Sequence, residues 1–354
     1  MPVFPKIDHL CNGSDNNFNL IRIICAWGVL FAHSYVLIRN KPKLIDPFQE
    51  YFSIGMGTFF VTVFFSISGF LIYRSLYRSQ NLTKYFWARF KRIVPALLVV
   101  LLITVFVLGP ITTELSYTTY FQSAHTWSYL LNINLLDIYT QFDLPGVFQS
   151  NHHPNSVNGS LWTLPIEAWM YVMVAALYCI SVLLDHHIPR YHNLLRSVGL
   201  IGMSVLACVK ADNYLLTQQL EKYSILLFIC TFAMGSLLYH FRKLIPVSGF
   251  IAILLFLNIP VLEGSIIYPL YYSFTIAYCV LVLAYLPKGY IRRYNRIGDY
   301  SYGLYIYAFP IQQLIVLLNP DINFSAMLVS STVLSFVFAA LSWHFVEQPI
   351  IKNR

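Results

Sequence analysis

Apolar runs of about 17 to 25 residues recur along the whole chain, each long enough to cross a hydrocarbon core of roughly 30 Å as a helix. They fall at 18–38, 54–73, 93–110, 162–184, 195–211, 223–240, 247–263, 266–286, 299–318 and 324–345. The pattern predicts an all-α polytopic membrane bundle of about ten transmembrane helices. A further apolar piece, 126–139, is short and interrupted by Asn132, Asn134 and Asp137, and is expected to be re-entrant or interfacial. Residues 111–161 then form a long external segment that contains the His152-His153-Pro154 turn. No polar stretch between the runs is long enough for a separate soluble domain, so 1–354 is expected to be a single membrane domain with none appended. The first run starts near Phe18 without a basic leader or a small-residue cleavage site, and is expected to be retained.

The charges between the runs predict orientation. Loop 74–92 carries Arg74, Arg78, Lys84, Arg89, Lys91 and Arg92, and loop 287–298 carries Lys288, Arg292, Arg293 and Arg296. Both are expected on the cytoplasmic side, where Lys and Arg accumulate. An even number of helices then puts both termini in the cytoplasm, which suits Lys352 and Arg354. Arg39, Lys41 and Lys43 are the exception, since this scheme places them outside.

Composition agrees with the pattern. The 354 residues are 57% hydrophobic and 11% charged, with a mean hydropathy of +0.61, against about 25% charged residues in ordinary soluble domains. The net charge of +8 sits between hydrophobic runs, so topology accounts for it and a nucleic-acid partner is not expected. Six cysteines are scattered without a Cys-x-x-Cys pair, which supports neither a metal site nor a disulfide framework.

Charged groups at membrane depth are costly and mark function, and three stand out: Arg22, His33 and Glu167. Eleven positions at about 100° each are three turns plus roughly 20°, so Arg22 and His33 share a helix face. Their axial separation is about 16 Å, which sets Arg22 near the cytoplasmic face and His33 near mid-membrane. Snorkelling of Arg22 and a hydrogen bond from His33 to a neighbouring helix are the structural alternative. A neutral imidazole is the natural group to take a proton from a hydroxyl near pH 7.

Arg89 and Arg92 are i, i+3 neighbours in KYFWARFKRIVP with Lys91 beside them, and guanidinium groups grip phosphates in bidentate fashion. The same cations also suit topology and anionic-lipid contact. In NGSLWTLPIEAWMY, Gly159 and Ser160 suit a break and cap before the helix, and Trp162 suits an interfacial anchor. Glu167 lies about two turns in and is expected to pair with Arg22 or His33. His152 and His153, adjacent in a loop, read as a solvated turn rather than metal ligands, and no metal is expected.

Together these motifs resemble the membrane acyltransferase-3 family, whose members move acyl groups, typically acetyl from acetyl-CoA, onto sugars of surface polysaccharides and related glycans. Arg22 and His33 match its Arg-x10-His, FFSISGFLIYRS its second-helix block, and Arg89 and Arg92 its Arg-x-x-Arg. GSLWTLPIEAWMY matches the Trp-(Ser/Thr)-Leu-x-x-Glu block, GDYSYGLYIYAFP the Ser-Tyr-Gly-x-Tyr block, and HFVEQP the closing Glu-x-Pro. Two departures are visible. Ala308 stands where many relatives carry a His, and the chain ends at Arg354 without the hydrolase-like domain found on some relatives.

The resemblance implies a bacterial inner-membrane O-acetyltransferase. Acetyl-CoA is expected to dock its phosphates at Arg89, Lys91 and Arg92, and His33, with Arg22 and Glu167, is expected to be the catalytic group. His33 acts there either as general base or as transient acyl carrier. Ser160, Trp162 and Tyr302 are expected to contact the substrate, a lipid-linked or nascent glycan acceptor among membrane lipids. External Tyr117, Tyr120, Trp127, His152 and Asn155 suit sugar stacking and hydrogen bonding, or an interfacial belt. The competing class is a transporter or flippase of a glycan or acylated precursor. It is weakened by the absence of an internal repeat and of paired broken helices.

Overall fold

The computed structural model describes residues 4–11, 13, 15–38, 47–185, 192–216 and 220–352, so Arg39, Lys41 and Lys43 lie outside the described residues. The long elements are α1 (Phe18–Leu37), α2 (Met56–Ser79), α3 (Leu82–Thr112), α4 (Thr163–Asp185), α5 (His192–Leu216), α6 (Leu220–His240), α7 (Gly249–Leu257), α8 (Tyr268–Tyr285), α9 (Ser301–Leu318) and α10 (Phe324–Lys352). Eight of them carry a stretch long and apolar enough to cross a membrane, while α7 and the apolar stretch of α5 are shorter. Among the described residues there is no strand, only two isolated backbone bridges. The piece 126–139 forms no long helix: a turn of α-helix and a 3-10 turn over Ala124–Ile133 give way to irregular chain.

The chain resolves into two compact units, each discontinuous in sequence. The first comprises Met1–Cys25, Ile45–Leu82 and Trp169–Ile297. Its core is the pairing of α2 with α6, which rests on small residues. A Cβ on Gly69 would lie 2.0 Å from the Phe232 carbonyl oxygen, and one on Gly235 would lie 2.3 Å from that of Ser66. The two backbones therefore touch, and the Ser236 hydroxyl donates across the seam to the Gly69 carbonyl at 3.0 Å. In lipid, where burying apolar side chains gives little drive, such close approach is what holds helices together. This explains the Ser-Gly within FFSISGFLIYRS.

The second unit comprises Ala26–Leu44, Thr83–Ala168 and Gly298–Arg354. Here α9 packs on a buried small-residue stripe of α10 that includes Ser331, Ser335, Ala339 and Ser342. A Cβ on Gly303 would come 2.8 Å from the Ala339 Cα. Both α3 and α10 contain a π-turn, at Thr104–Leu108 and Trp343–Glu347. At the first, where the α-helical ladder is interrupted, buried Tyr120 of the segment 111–161 donates its hydroxyl to the Val105 carbonyl at 3.0 Å. Gly109 leaves room for that phenol, since a Cβ there would fall 2.0 Å from the Tyr120 oxygen. The rest of the segment is knitted by Gln141. Its side chain donates to the carbonyls of His125 and Asp143, and accepts from Ser128.

Candidate active site

The second unit gathers four blocks of the sequence around one aromatic ring. His33, on α1, meets Phe309 of α9 edge to face, with ring centroids 5.0 Å apart. His153, from the segment 111–161, packs on the same Phe309 at 6.4 Å and lies within electrostatic reach of His33. Gly159 completes the contact: a Cβ there would fall 2.6 Å from Phe309 Cε2, so the ring requires a glycine at that position. The Nδ1 of His33 is buried and has no hydrogen-bond partner in the protein. Orphaned buried polar atoms are rare and cost about 1–3 kcal/mol. A hydrogen bond from a ligand or water would recover that cost at this nitrogen.

The segment that delivers His153 and Gly159 is latched to α9 by a set of buried amides. Pro310, inside α9, has no N–H to give the Ile306 carbonyl four residues back. Asn158 supplies the missing donor at 2.9 Å, and its own Oδ1 accepts the Ser160 N–H at 3.1 Å. Asn151 donates to the carbonyl and side-chain oxygen of Gln313, and Gln313 donates to the carbonyls of His153 and Ser156. Thr163 and Tyr305 share a hydrogen bond at 2.7 Å. On the other side, Gln312 donates to the Leu30 carbonyl, about one turn before His33, and to the hydroxyl of Ser34, the next residue of α1. The consecutive glutamines of α9 thus set the His33 helix and the His153 loop against the same pair of turns.

A second cluster closes the unit. Arg92 of α3 sits 2.6 Å from Asp299 and 3.7 Å from Glu347, with side chains 20%, 8% and 1% exposed respectively. Asp299 is held by the Ser301 backbone and hydroxyl, and Glu347 by the Ser342 hydroxyl. The π-turn at Trp343–Glu347 carries Glu347, and Trp343 packs on Gly298, which adopts a φ of 150°. Tyr302 donates its hydroxyl to the Ile93 carbonyl at 3.0 Å. Arg-x-x-Arg, Gly-Asp-Tyr-Ser-Tyr-Gly and Glu-x-Pro therefore meet in one ion-paired knot. Arg92 is held by two carboxylates, and Tyr302 closes the backbone of α3.

Arg89 is half-buried beside the Tyr85 ring at 5.8 Å, with its Nε buried and lacking a protein hydrogen bond. Lys91 lies over Trp87 at 5.6 Å. Because α1 is unbroken from Phe18 to Leu37, Arg22 and His33 project from the same side of it. Glu167 is half-buried on α4, within electrostatic reach of Tyr302 and Tyr305. Trp162 is half-buried at the approach to α4. Ser160 does not cap that helix; its hydroxyl is buried and without a protein hydrogen bond, and the Asx turn is made by Asn158.

Sequence reading did not single out Asp299, Phe309, Gln312 or Gln313 as participants. Asp299 was legible only as part of a motif. Phe309 and the glutamine pair looked like ordinary span residues, although two glutamines inside an apolar run at the centre of α9 are a signal. His153 is exposed in a bend, as expected of a solvated turn, and its ring also approaches Phe309, a contact that the loop sequence does not announce.

The family profile described as "Acyltransferase domain" matches residues 15–344. An O-acetyl transferase of Shigella phage Sf6 is 28% identical over 96% of each chain. Nodulation protein 10 of Rhizobium leguminosarum bv. viciae is 25% identical over 99% of this chain and 96% of its own. The peptidoglycan O-acetyltransferase OatA of Listeria monocytogenes is 26% identical over 85% of this chain and 53% of its own. No solved structure matches.

Proposed function

The chain belongs to the membrane acyltransferase-3 family and is a multi-pass O-acetyltransferase, and on that premise we propose that it carries acetyl from cytosolic acetyl-CoA to a hydroxyl of a surface polysaccharide or related glycan. The observation that carries this reading is the buried, unpartnered Nδ1 of His33 against Phe309. A glycan hydroxyl needs its proton removed to become a competent nucleophile, and a neutral imidazole is suited to remove it. The membrane in question is the bacterial inner membrane, in keeping with relatives from bacteria and a bacteriophage.

The donor supplies an activated acyl group as a thioester. The residues of the chain bind, orient and move the proton. His33 accepts the proton of the acceptor hydroxyl as its oxygen bonds to the acetyl carbonyl carbon, and returns it to the thiolate released when the C–S bond breaks; Arg22 lines the approach to His33 along α1. Glu167, within electrostatic reach of Tyr302 and Tyr305, sets the charge on that side of the site. Arg89 fits an anionic donor, having a buried guanidinium N–H left unbonded by the protein; with Lys91 it takes the diphosphate. Arg92 holds Asp299 and Glu347 and so acts as a positioning residue. His153, Trp162 and Ser160 face the acceptor.

Mass spectrometry of surface glycans from cells with and without the protein tests the reading. An acetyl mass difference supports it. A change in glycan amount without any change in modification points to a transporter or flippase and contradicts it.

A further inference from the structure

The first unit holds a large cavity that none of the catalytic argument uses. It measures about 930 Å³, and its walls include Asp15, Asn16 and Asn19 at the entry to α1 and Lys288, Tyr290, Arg292, Arg293 and Arg296 after α8. Loop 287–298 is explained as a topology signal by its charge alone, but a topology signal needs only a flexible basic strip. This strip is built. Arg292 donates to the carbonyls of Pro287 and Tyr285 and is paired with Asp15. Asn17 donates through its side chain to the Leu283 and Pro287 carbonyls, and through its backbone to that of Ala284. Asn295 in turn donates to the Asn16 carbonyl. Two chain segments more than 260 residues apart in sequence are stitched into a concave floor.

The cations divide by role. Arg292 is neutralised by Asp15 and holds the floor. Lys288, Arg293 and Arg296 are exposed along the wall. Arg293 lies over the Tyr290 ring at 4.0 Å, and Tyr290 is 79% exposed, so an aromatic face stands beside three solvated cations. Cations grip phosphate, and an exposed tyrosine offers a stacking surface to a planar base. A lipid headgroup would use the charge but has no use for the ring or the depth.

We propose that this cavity binds the nucleotide end of a coenzyme A thioester: Arg293, Arg296 and Lys288 take its 3′-phosphate, which carries a charge of about −2 near neutral pH, and Tyr290 stacks on the adenine. The inference rests on the acetyl-CoA donor reading and names the part of the protein that recognises the donor's distinctive end.

The test is calorimetric binding of CoA and of dephospho-CoA, which lacks the 3′-phosphate, to the full-length protein in phosphatidylcholine nanodiscs. The wild type is expected to bind CoA roughly tenfold more tightly than dephospho-CoA, since charge-assisted phosphate contacts are worth that much or more. Arg293→Gln with Arg296→Gln is expected to erase the preference by weakening CoA alone. Arg293→Lys with Arg296→Lys is expected to keep most of it, which separates lost charge from lost folding. Wild-type CoA binding that the Gln pair leaves within about twofold, preference included, overturns the inference and leaves the donor reading standing. The same result, with the Gln pair retaining less phosphatidylglycerol than wild type when both are purified from membranes that contain it, assigns the cavity to lipid headgroups and overturns it equally. A wild type that binds no CoA overturns the donor reading and the inference together.

Discussion

His33 and Phe309 meet edge to face at 81°, and the same phenyl ring rests against Gly159 and His153. A titratable ring on a helix long and apolar enough to cross a membrane is thus oriented by an aromatic wall rather than by a hydrogen bond at its buried nitrogen. Each contact of that wall has a measurable consequence.

Gly159→Ala introduces a methyl group 2.6 Å from Phe309 Cε2 and must displace the ring. Acetyl transfer is expected to fall by roughly tenfold or more while the protein still inserts, because a misplaced catalytic geometry is costly even when the fold survives. Phe309→Leu in the same background frees the space and is expected to recover part of the loss. Acetylation rates of the two single variants and the double variant give the coupling, and strict additivity would contradict the contact.

The Asn158 amide serves the carbonyl that Pro310 leaves open. Asn158→Ala is expected to lower thermal stability by about 1–3 kcal/mol, the cost of an unsatisfied buried carbonyl. Pro310→Ala restores an N–H donor to Ile306, so Asn158→Ala with Pro310→Ala is expected to unfold at a higher temperature than Asn158→Ala alone. Melting curves of purified protein in detergent compare the two directly.

Arg92 stands between Asp299 and Glu347. Arg92→Gln strands two buried carboxylates and is expected to destabilise on the order of 3 kcal/mol, whereas Arg92→Gln with Glu347→Gln is expected to recover a measurable part. CoA affinity of any Arg92→Gln protein that remains folded is expected to stay near wild type. A large selective loss of CoA binding, with unchanged melting temperature, would return Arg92 to the donor site.

The spans were legible because period and length leave few choices for apolar runs in lipid: all ten expected segments are helical, and eight carry a stretch long and apolar enough to cross. The eleven-residue spacing of Arg22 and His33 became a shared face because nothing in α1 breaks the helix. What charge alone does not reveal is which cation is already engaged. Arg89 and Arg92 look equivalent in KYFWARFKRIVP, yet their environments separate them, since Asp299 and Glu347 arrive from more than 200 residues away. The pattern of the loop predicts a solvated turn at His153, and its side chain is exposed, but its approach to Phe309 depends on the latch of Asn151, Asn158 and Gln313 and so is not visible locally. The basic loop 287–298 read as topology, and only its hydrogen bonds to Asp15, Asn16 and Asn17 turn it into a cavity wall.

The central claim is that the His33 imidazole handles the proton of the acceptor hydroxyl. Its most direct test is the rate of acetyl transfer by purified His33→Gln protein, shown to be inserted and as thermostable as wild type, with acetyl-CoA and a glycan acceptor. Removal of a general base is expected to lower that rate by roughly 100-fold or more with CoA affinity unchanged. A rate within about twofold of wild type would contradict the claim.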